Sequence, residues 1–316
     1  MRTRSAGLAL VFLIASSALG CADVWGSLSA GFAYREAPLP PAQVRLDVPY
    51  RMDDAAHPDK HRLDLFLPDA GAEGWPTLVF VHGGGWTAGD RATNVLGLEP
   101  NRNIGRFYAA RGVGVAILSY RLQPEVTWRD QIADIADAVA WVHREIAREG
   151  GNPEALILSG HSAGAWLAAW LGLSDVPLAR VSIDRSIVCG LVLVSGAGYD
   201  LEDEKTYELG ASRPYFEDLF GDDDPDWARS ASILLHLDRP YPPTLVLSAE
   251  GEPEKFRRQG DMLFDAVVVR APFAKRVVVP GSNHQKIVVS MSRADDLISD
   301  SVLSFIGETR CRGSAG

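Results

Sequence analysis

The sequence predicts an α/β fold in which a mostly parallel sheet of eight strands has helices on both faces. Two observations support this prediction. Apolar runs such as "TLVFV" and "GVGVAILSY" are continuous, as is typical of strands covered on both faces. Helical patterns separate these runs, and the clearest pattern places five apolar residues on one face: Ile132, Ile135, Ala136, Val139 and Val142.

The predicted strands follow one another along a single domain over residues 43–309. The first two, "VRLDVPY" and "HRLDLFLP", alternate in polarity and are therefore expected to be half-exposed strands near a sheet edge. The other strands lie in "TLVFV", "GVGVAILSY", "EALILSG", "IVCGLVLVSG", "PTLVLSAE" and "AKRVVVPG". A helix, "AGAWLAAWLGL", follows the fifth strand, "EALILSG".

Residues 199–243 interrupt this alternation with a long, acidic and aromatic stretch, here called the covering segment. An insertion of that size between two strands is usually functional or a cover. We expect short helices that lie over the carboxyl ends of the strands. Its "GDDDPD" run lacks the ligand spacing of a calcium loop and is interpreted as a solvated turn.

Composition excludes some classes of partner and cofactor. The net charge of -10 and the absence of a basic run argue against nucleic acid. No cluster of histidine, cysteine or aspartate has metal-ligand spacing, so neither a metal nor an organic cofactor is expected. His57 and His61 are interpreted as ordinary exposed residues.

The N-terminus has the pattern of an export signal. Two arginines in "MRTR" precede an uncharged apolar stretch that reaches Gly20, which predicts a signal peptide over residues 1–20. "SALGC" resembles a bacterial lipobox, so Cys21 is the expected lipidation site of a cell-envelope lipoprotein. Ordinary cleavage to a periplasmic or secreted protein and a retained anchor are the alternatives.

Residues 21–42 are rich in proline and small residues and are expected to form a flexible tether. Membrane contact would then occur only through the lipid. Cys189 lies in a predicted strand, and Cys311 lies in a polar tail over residues 310–316. Export permits a disulfide between them, although their spacing does not demand one.

"GHSAG" matches the G-x-S-x-G pattern, between an apolar strand and a helix. A sharp turn from strand to helix needs glycine at both ends, Gly160 and Gly164. It places Ser162 at the amino end of the helix, where the dipole favours developing negative charge. Ser162 is the candidate nucleophile.

A serine nucleophile needs a base, and in this elbow arrangement the base follows the serine and the acid along the chain. Only His236 and His284 lie after Ser162. His284 sits in "GSNH" after the last strand, where catalytic groups of an open α/β sheet gather. His236 lies within the covering segment and is interpreted as structural.

The acid should follow "TLVLSAE". Glu250 ends that strand and Glu254 opens the next helix, whereas Glu252 stands in the turn between them and is favoured. Glu250, Glu254 and, last, Asp200 remain the alternatives.

"HGGGW" follows the third strand, where backbone N–H groups can meet the oxyanion of acyl transfer. Gly84 and Gly85 are the candidate donors, together with the amide of Ala163 beside the nucleophile. Trp86, Trp166 and Tyr199 are candidates for an acyl or aryl pocket.

Over residues 43–308 the chain resembles the α/β-hydrolase superfamily, in the esterase branch of hormone-sensitive-lipase-like and feruloyl-esterase-like enzymes. "HGGGW", "YRLQPEVTW", "SGHSAGAWLAAW" and "GSNH" carry this resemblance. "LVLVSGAGYDL" and "EPEKFRRQG" are closer to arylformamidases. That likeness implies an acid at Glu252, although the family more often has aspartate.

The resemblance implies a serine carboxylesterase that acts on a small ester through Ser162, His284 and Glu252. An arylformamidase-type amidase would use the same triad. The arylformamidases of tryptophan breakdown are cytosolic, whereas this chain has an export signal. Some arylformamidases also have a shorter glycine run after the histidine than "HGGGW". A non-catalytic envelope scaffold is the third hypothesis. The acidic covering segment does not favour a lipase that acts on aggregated lipid.

Overall fold

A sheet of eight strands organises the structure, a computed structural model that describes residues 34–311 apart from 55, 96, 222, 223 and 310. The strands are Val44–Pro49 (β1), Arg62–Phe66 (β2), Trp75–Val81 (β3), Gly114–Leu118 (β4), Gly151–His161 (β5), Val188–Val194 (β6), Thr244–Ala249 (β7) and Ala274–Val279 (β8). Their order is β1-β2-β4-β3-β5-β6-β7-β8. β2 runs antiparallel to β1 and β4, and the pairs from β4 to β8 are parallel. The predicted fold class is confirmed.

Helices cover both faces of this sheet. They are Pro100–Ala109 (α1), Trp128–Glu145 (α2), Ala163–Leu173 (α3), Val176–Arg180 (α4), Glu204–Glu208 (α5), Arg213–Phe220 (α6), Trp227–Ser230 (α7), Glu254–Val268 (α8), Lys286–Ser290 (α9) and Leu297–Glu308 (α10). α2 begins at a capping box in which Thr127 and Asp130 bond reciprocally. The five apolar residues predicted to share one face of α2 are all buried.

Successive residues of each central strand enter different cores, because side chains alternate across a strand. In β3, Val79 and Val81 pack on the side of α2 and α3. Leu78 and Phe80 pack on the side of α1 and α10. The continuous apolar runs therefore supply two hydrophobic layers at once.

The alternation of β2 does not mark a half-exposed strand, so that expectation was wrong. Four of its five residues are buried, and Asp64 has 0% exposure. Arg102 donates to its Oδ2 atom at 2.7 Å, and Arg91 donates to Oδ1 at 3.3 Å. A buried carboxylate needs such partners, and they come from sequence-distant positions.

The covering segment forms α5, α6, α7 and a short 3-10 turn, Ile233–Leu235. Its aromatic residues Phe216 and Phe220 pack against Trp86, with ring centroids 6.3 and 5.1 Å apart. The Trp166 indole N–H donates to the carbonyl of Ala231 in this segment at 3.2 Å. The segment is therefore joined to the main fold by an aromatic core.

The predicted signal peptide, Cys21 and most of the predicted tether lie outside the described residues. The last part of the tether is not free: Ala37 N donates to Asn103 Oδ1 of α1 at 2.7 Å, and Asn103 Nδ2 donates to the carbonyl of Arg35 at 2.8 Å. In the part of the chain that the structure describes, no helix has the length and apolarity needed to cross a membrane.

A disulfide joins Cys189 in β6 to Cys311, with Cα atoms 5.3 Å apart. The two residues are separated by 122 positions. A bridge over so long a loop restricts the unfolded chain and stabilises the folded domain by about 2–5 kcal/mol.

We expect Cys189→Ala, Cys311→Ala and the double variant to lose similar stability, about 2–5 kcal/mol each, because removal of either cysteine opens the same bridge. Urea unfolding without reductant measures these losses. Wild-type protein treated with dithiothreitol should fall to the same level. Additive losses in the double variant would contradict the bridge.

Candidate active site

Ser162 lies at the turn between β5 and α3, with φ 55° and ψ -121°. Such positive φ is strained for a residue with a side chain. The turn is tight because a Cβ atom at Gly160 would overlap the backbone of Gly164. A Cβ at Gly164 would overlap the carbonyl of Val81 at the end of β3. The glycines predicted from the elbow pattern are thus required by close backbone contact.

His284 lies in the loop between β8 and α9 and contacts the serine. Its Nε2 atom is 3.0 Å from Ser162 Oγ, within hydrogen-bond distance. The ring of Phe256 stacks on His284, with centroids 5.0 Å apart and planes at 26°. The imidazole is therefore fixed on one face, and His284 is 7% exposed.

Glu252 completes a hydrogen-bonded chain of three side chains. Its Oε1 atom accepts from His284 Nδ1 at 2.7 Å, and its Oε2 atom accepts from Ala249 N at 3.1 Å. Arg257 Nη1 donates to the Glu252 carbonyl at 2.7 Å and holds the turn. With 3% exposure, this carboxylate is buried and has partners at both oxygens.

The alternative acids and the alternative base lie elsewhere. Glu250 accepts from Gly281 N at 2.9 Å and so anchors the start of the histidine loop. Glu254 is exposed at the first residue of α8, and Asp200 accepts from Glu202 N at 2.9 Å. His236 stacks on Trp170 at 5.4 Å in the covering segment. The structure therefore brings Glu252 and His284 to Ser162.

The glycine run lies beside Ser162, and the carbonyl groups of Gly83 and Gly84 are hydrogen-bonded to other groups. A Cβ at Gly83 would be 3.2 Å from Ser162 Cβ. The Gly83 carbonyl accepts from His82 Nδ1 at 2.8 Å, and the Gly84 carbonyl accepts from Ala88 N at 3.0 Å. In a trans peptide the N–H points opposite to the carbonyl.

The N–H groups of Gly84 and Gly85 therefore point away from these two hydrogen bonds. Neither group, nor the N–H of Ala163, donates to another residue in the described ranges. Gly84 has φ 130° and Gly85 has φ 60°, both outside the usual range of other residues. These three amides are the predicted oxyanion donors.

His161, the second residue of the elbow, contacts the candidate base, which the sequence analysis did not predict. It is buried, and its Nε2–H donates to the His284 carbonyl at 2.8 Å. Burial, and secondarily the nearby His284, lowers the pKa of His161 to about 3. Only its position before the serine could have drawn attention to it, because that position of the motif is variable.

His82 is also held neutral beneath the glycine run. Its ring stacks on Tyr120 with centroids 4.4 Å apart, and the Tyr120 hydroxyl donates to the His82 carbonyl at 3.1 Å. Burial lowers the pKa of His82 to about 4. The neutral ring with its proton on Nδ1 is the form that can donate to Gly83.

The three predicted pocket residues do not present their side chains on an open surface. Trp86, Trp166 and Tyr199 are 4%, 0% and 1% exposed and belong to the core on the α2 and α3 side. Trp86 and Trp166 meet edge to face at 5.8 Å. The pocket expectation is corrected: all three side chains belong to the core, and Trp86 and Trp166 pack against Phe220 of the covering segment.

The expectation that His61 is exposed was also wrong, since the residue is 2% exposed. Its Nε2 atom lies 3.1 Å from Oδ1 of the buried Asp134. His57 is half-buried and its Nδ1 atom lies 3.0 Å from Asp54 Oδ2. Both histidines are paired with carboxylates near the start of β2.

Comparison with solved structures supports the fold. Esterase B from Lactobacillus rhamnosis has a TM-score of 0.69 and 22% identity, over 95% of this chain and 94% of that chain. A truncated carbohydrate esterase from gut microbiota has a TM-score of 0.68 and 18% identity, over 87% of this chain and 99% of that chain.

Curated relatives match parts of the chain. A probable isoprenylcysteine alpha-carbonyl methylesterase of Oryza sativa subsp. japonica is 36% identical over 50% of this chain and 37% of its own length. Esterase LipQ of Mycobacterium tuberculosis is 27% identical over 73% of this chain and 55% of its own length. The chain thus spans about half or less of the length of these relatives.

The family comparison covers most of the sheet and the whole elbow. The profile of the BD-FAE family matches residues 63–264, from β2 into α8, and includes "HGGGW", Ser162 and Glu252. The resemblance to the esterase branch of the α/β-hydrolases is confirmed, and the chain belongs to the BD-FAE family.

Proposed function

We propose that this protein is a serine carboxylesterase that cleaves esters through an acyl-enzyme. The observation that carries the proposal is the hydrogen-bonded chain from Ser162 through His284 to Glu252, with separations of 3.0 and 2.7 Å. A nucleophile, a base and an orienting acid in this order are the groups that acyl transfer requires.

In the acylation step, His284 Nε2 takes the proton of Ser162 Oγ while the oxygen attacks the ester carbonyl carbon. The carbonyl electron pair moves to oxygen, and the resulting oxyanion binds the N–H groups of Gly84, Gly85 and Ala163. As the intermediate collapses, the bond to the alcohol oxygen breaks. That oxygen takes the proton from His284, which leaves the acyl group on Ser162.

Deacylation repeats these steps with water as the nucleophile. His284 takes a proton from water, the hydroxide attacks the acyl carbon, and the bond to Ser162 Oγ breaks as Oγ regains a proton. Glu252 keeps the His284 proton on Nδ1 and stabilises the imidazolium that forms in each step. Its second oxygen is held by Ala249 N, so the carboxylate keeps its orientation.

The comparisons favour ester chemistry over amide chemistry. Two curated relatives are named a methylesterase and an esterase. An arylformamidase-type amidase would use the same three residues, so the two activities must be distinguished by comparing the rates of ester and formamide cleavage. A non-catalytic scaffold is the third hypothesis, and the intact chain of three side chains argues against it.

We expect Ser162→Ala to lower kcat for short-chain aryl esters by at least about 10³-fold, because it removes the nucleophile. Wild type and variant should be compared on paired aryl esters and N-formyl aryl amides. Faster formamide than ester cleavage would favour the amidase. Equal rates for folded wild type and variant would refute serine catalysis.

Two matched variants test the acid. Glu252→Gln should lower kcat by about 10²–10⁴-fold, since the amide no longer orients or stabilises the histidine cation. Glu250→Gln removes the neighbouring carboxylate, which contacts only the loop backbone at Gly281 among the described residues, and should stay within about threefold of wild type. The reverse ranking would assign the role to Glu250.

The neutral state of His161 should make the fold sensitive to acid. Its pKa is lowered from 6.5 to about 3, so between these values the unfolded chain binds a proton that the folded chain does not. Stability is therefore lost as pH falls below about 6.5. From pH 7.5 to 5.5 we expect His161→Gln to lose about 1 kcal/mol less unfolding free energy than wild type. Urea unfolding at the two pH values measures this difference, and parallel pH dependence would contradict it.

We also propose that the protein is exported and anchored through lipid on Cys21. The signal pattern before Cys21 supports export, and the Cys189–Cys311 disulfide is suited to an oxidising compartment. Cys21→Ser should move full-length protein from the membrane fraction to the soluble or uncleaved fraction of the expressing cells. An unchanged, processed membrane fraction would argue against lipidation.

A further inference from the structure

The backbone of the glycine run is held in place carbonyl by carbonyl. The Gly83 and Gly84 carbonyls accept from His82 Nδ1 and Ala88 N, which are close in sequence. The Trp86 carbonyl accepts from Gln123 N at 3.1 Å and from Gln131 Nε2 at 2.8 Å. The Gly85 carbonyl accepts from the hydroxyl of Tyr215 at 3.2 Å. This contact comes from the covering segment, 130 residues away in sequence.

Tyr215 reaches the loop from the first turn of α6. The helix begins after Ser212, whose side chain accepts from Tyr215 N at 3.3 Å. The residue is 43% exposed, and its hydroxyl oxygen lies against the glycine run, where a Cβ at Gly85 would be 2.8 Å from it. Partial burial raises the pKa of Tyr215, so the hydroxyl keeps its proton and donates.

Gly85 needs such a contact because it lacks a side chain that would restrict its backbone. Gly85 has a φ of 60°, and its N–H group, one of the proposed oxyanion donors, belongs to the peptide that also contains the Gly84 carbonyl. Rotation about Gly85 would move that donor relative to Ser162. The Gly84 carbonyl fixes one side of Gly85, and the hydrogen bond from Tyr215 fixes the other.

We propose that Tyr215 is a positioning residue for the oxyanion loop, through which the covering segment holds the loop ready for catalysis. This inference rests on the proposed esterase function. A residue that fixes the donors acts mainly on the transition state, in which the oxyanion has formed, and little on substrate binding. Its loss should therefore lower kcat more than it raises KM.

Tyr207 offers a matched control in the same segment. Its hydroxyl also donates to a backbone carbonyl, that of Leu201, at 2.7 Å. Tyr207→Phe removes a hydrogen bond of the same kind without a contact to the glycine run. A general loosening of the covering segment should affect both variants, whereas positioning of the loop should affect only Tyr215→Phe.

The experiment measures kcat and KM of wild type, Tyr215→Phe and Tyr207→Phe with a short-chain aryl ester. We expect Tyr215→Phe to lower kcat about 5- to 30-fold with KM within about twofold, and Tyr207→Phe to match wild type. An aryl trifluoromethyl ketone forms a tetrahedral adduct with the serine. Its inhibition constant should rise in Tyr215→Phe by the same factor as kcat/KM falls.

The inference is overturned if active wild type and Tyr215→Phe have equal kcat, if both variants lose activity equally, or if only KM changes. A wild type that hydrolyses no ester overturns the proposed esterase function and this inference with it. Active wild type with unaltered Tyr215→Phe overturns the positioning role alone.

Discussion

The strained backbone of Ser162 is the constraint on which the rest of the site depends. A φ of 55° costs about 1–3 kcal/mol and persists only where the surroundings fix it. Here Ser162 N donates to the Val194 carbonyl of β6 at 3.0 Å, and Gly164 lies against the end of β3. The central parallel strands thus hold the serine at the carboxyl edge of the sheet.

Sheet order brings the other groups to the same edge. β3 and β5 are neighbours, so the glycine run that follows β3 lies beside the serine that follows β5. β7 and β8 are also neighbours, and the turns after them supply Glu252 and His284. The covering segment enters between β6 and β7 and packs over the glycine run through Trp86 and Tyr215.

Local sequence predicted the parts of the site that depend on local geometry. The elbow glycines, the glycine run and the turn around Glu252 are short patterns whose backbone demands can be read directly. Burial of Trp166 and His61 could not be read in this way, because it depends on Phe220 and Asp134, distant in sequence. The contacts of His161 and Tyr215 also join distant segments, and neither residue belongs to a fixed position of a motif.

The three histidines of the site differ in the groups that they contact. His82 and His161 are buried with backbone carbonyls as partners, and burial keeps the pKa of each well below 6.5. His284 Nδ1 lies 2.7 Å from a carboxylate oxygen of Glu252. In the proposed mechanism, the proton taken from Ser162 is stabilised on His284 by Glu252. The His161 ring lies 4.7 Å away, and because burial lowers its pKa it adds no competing positive charge. In that mechanism, the burial that keeps His82 and His161 neutral leaves His284 as the imidazole that receives the proton.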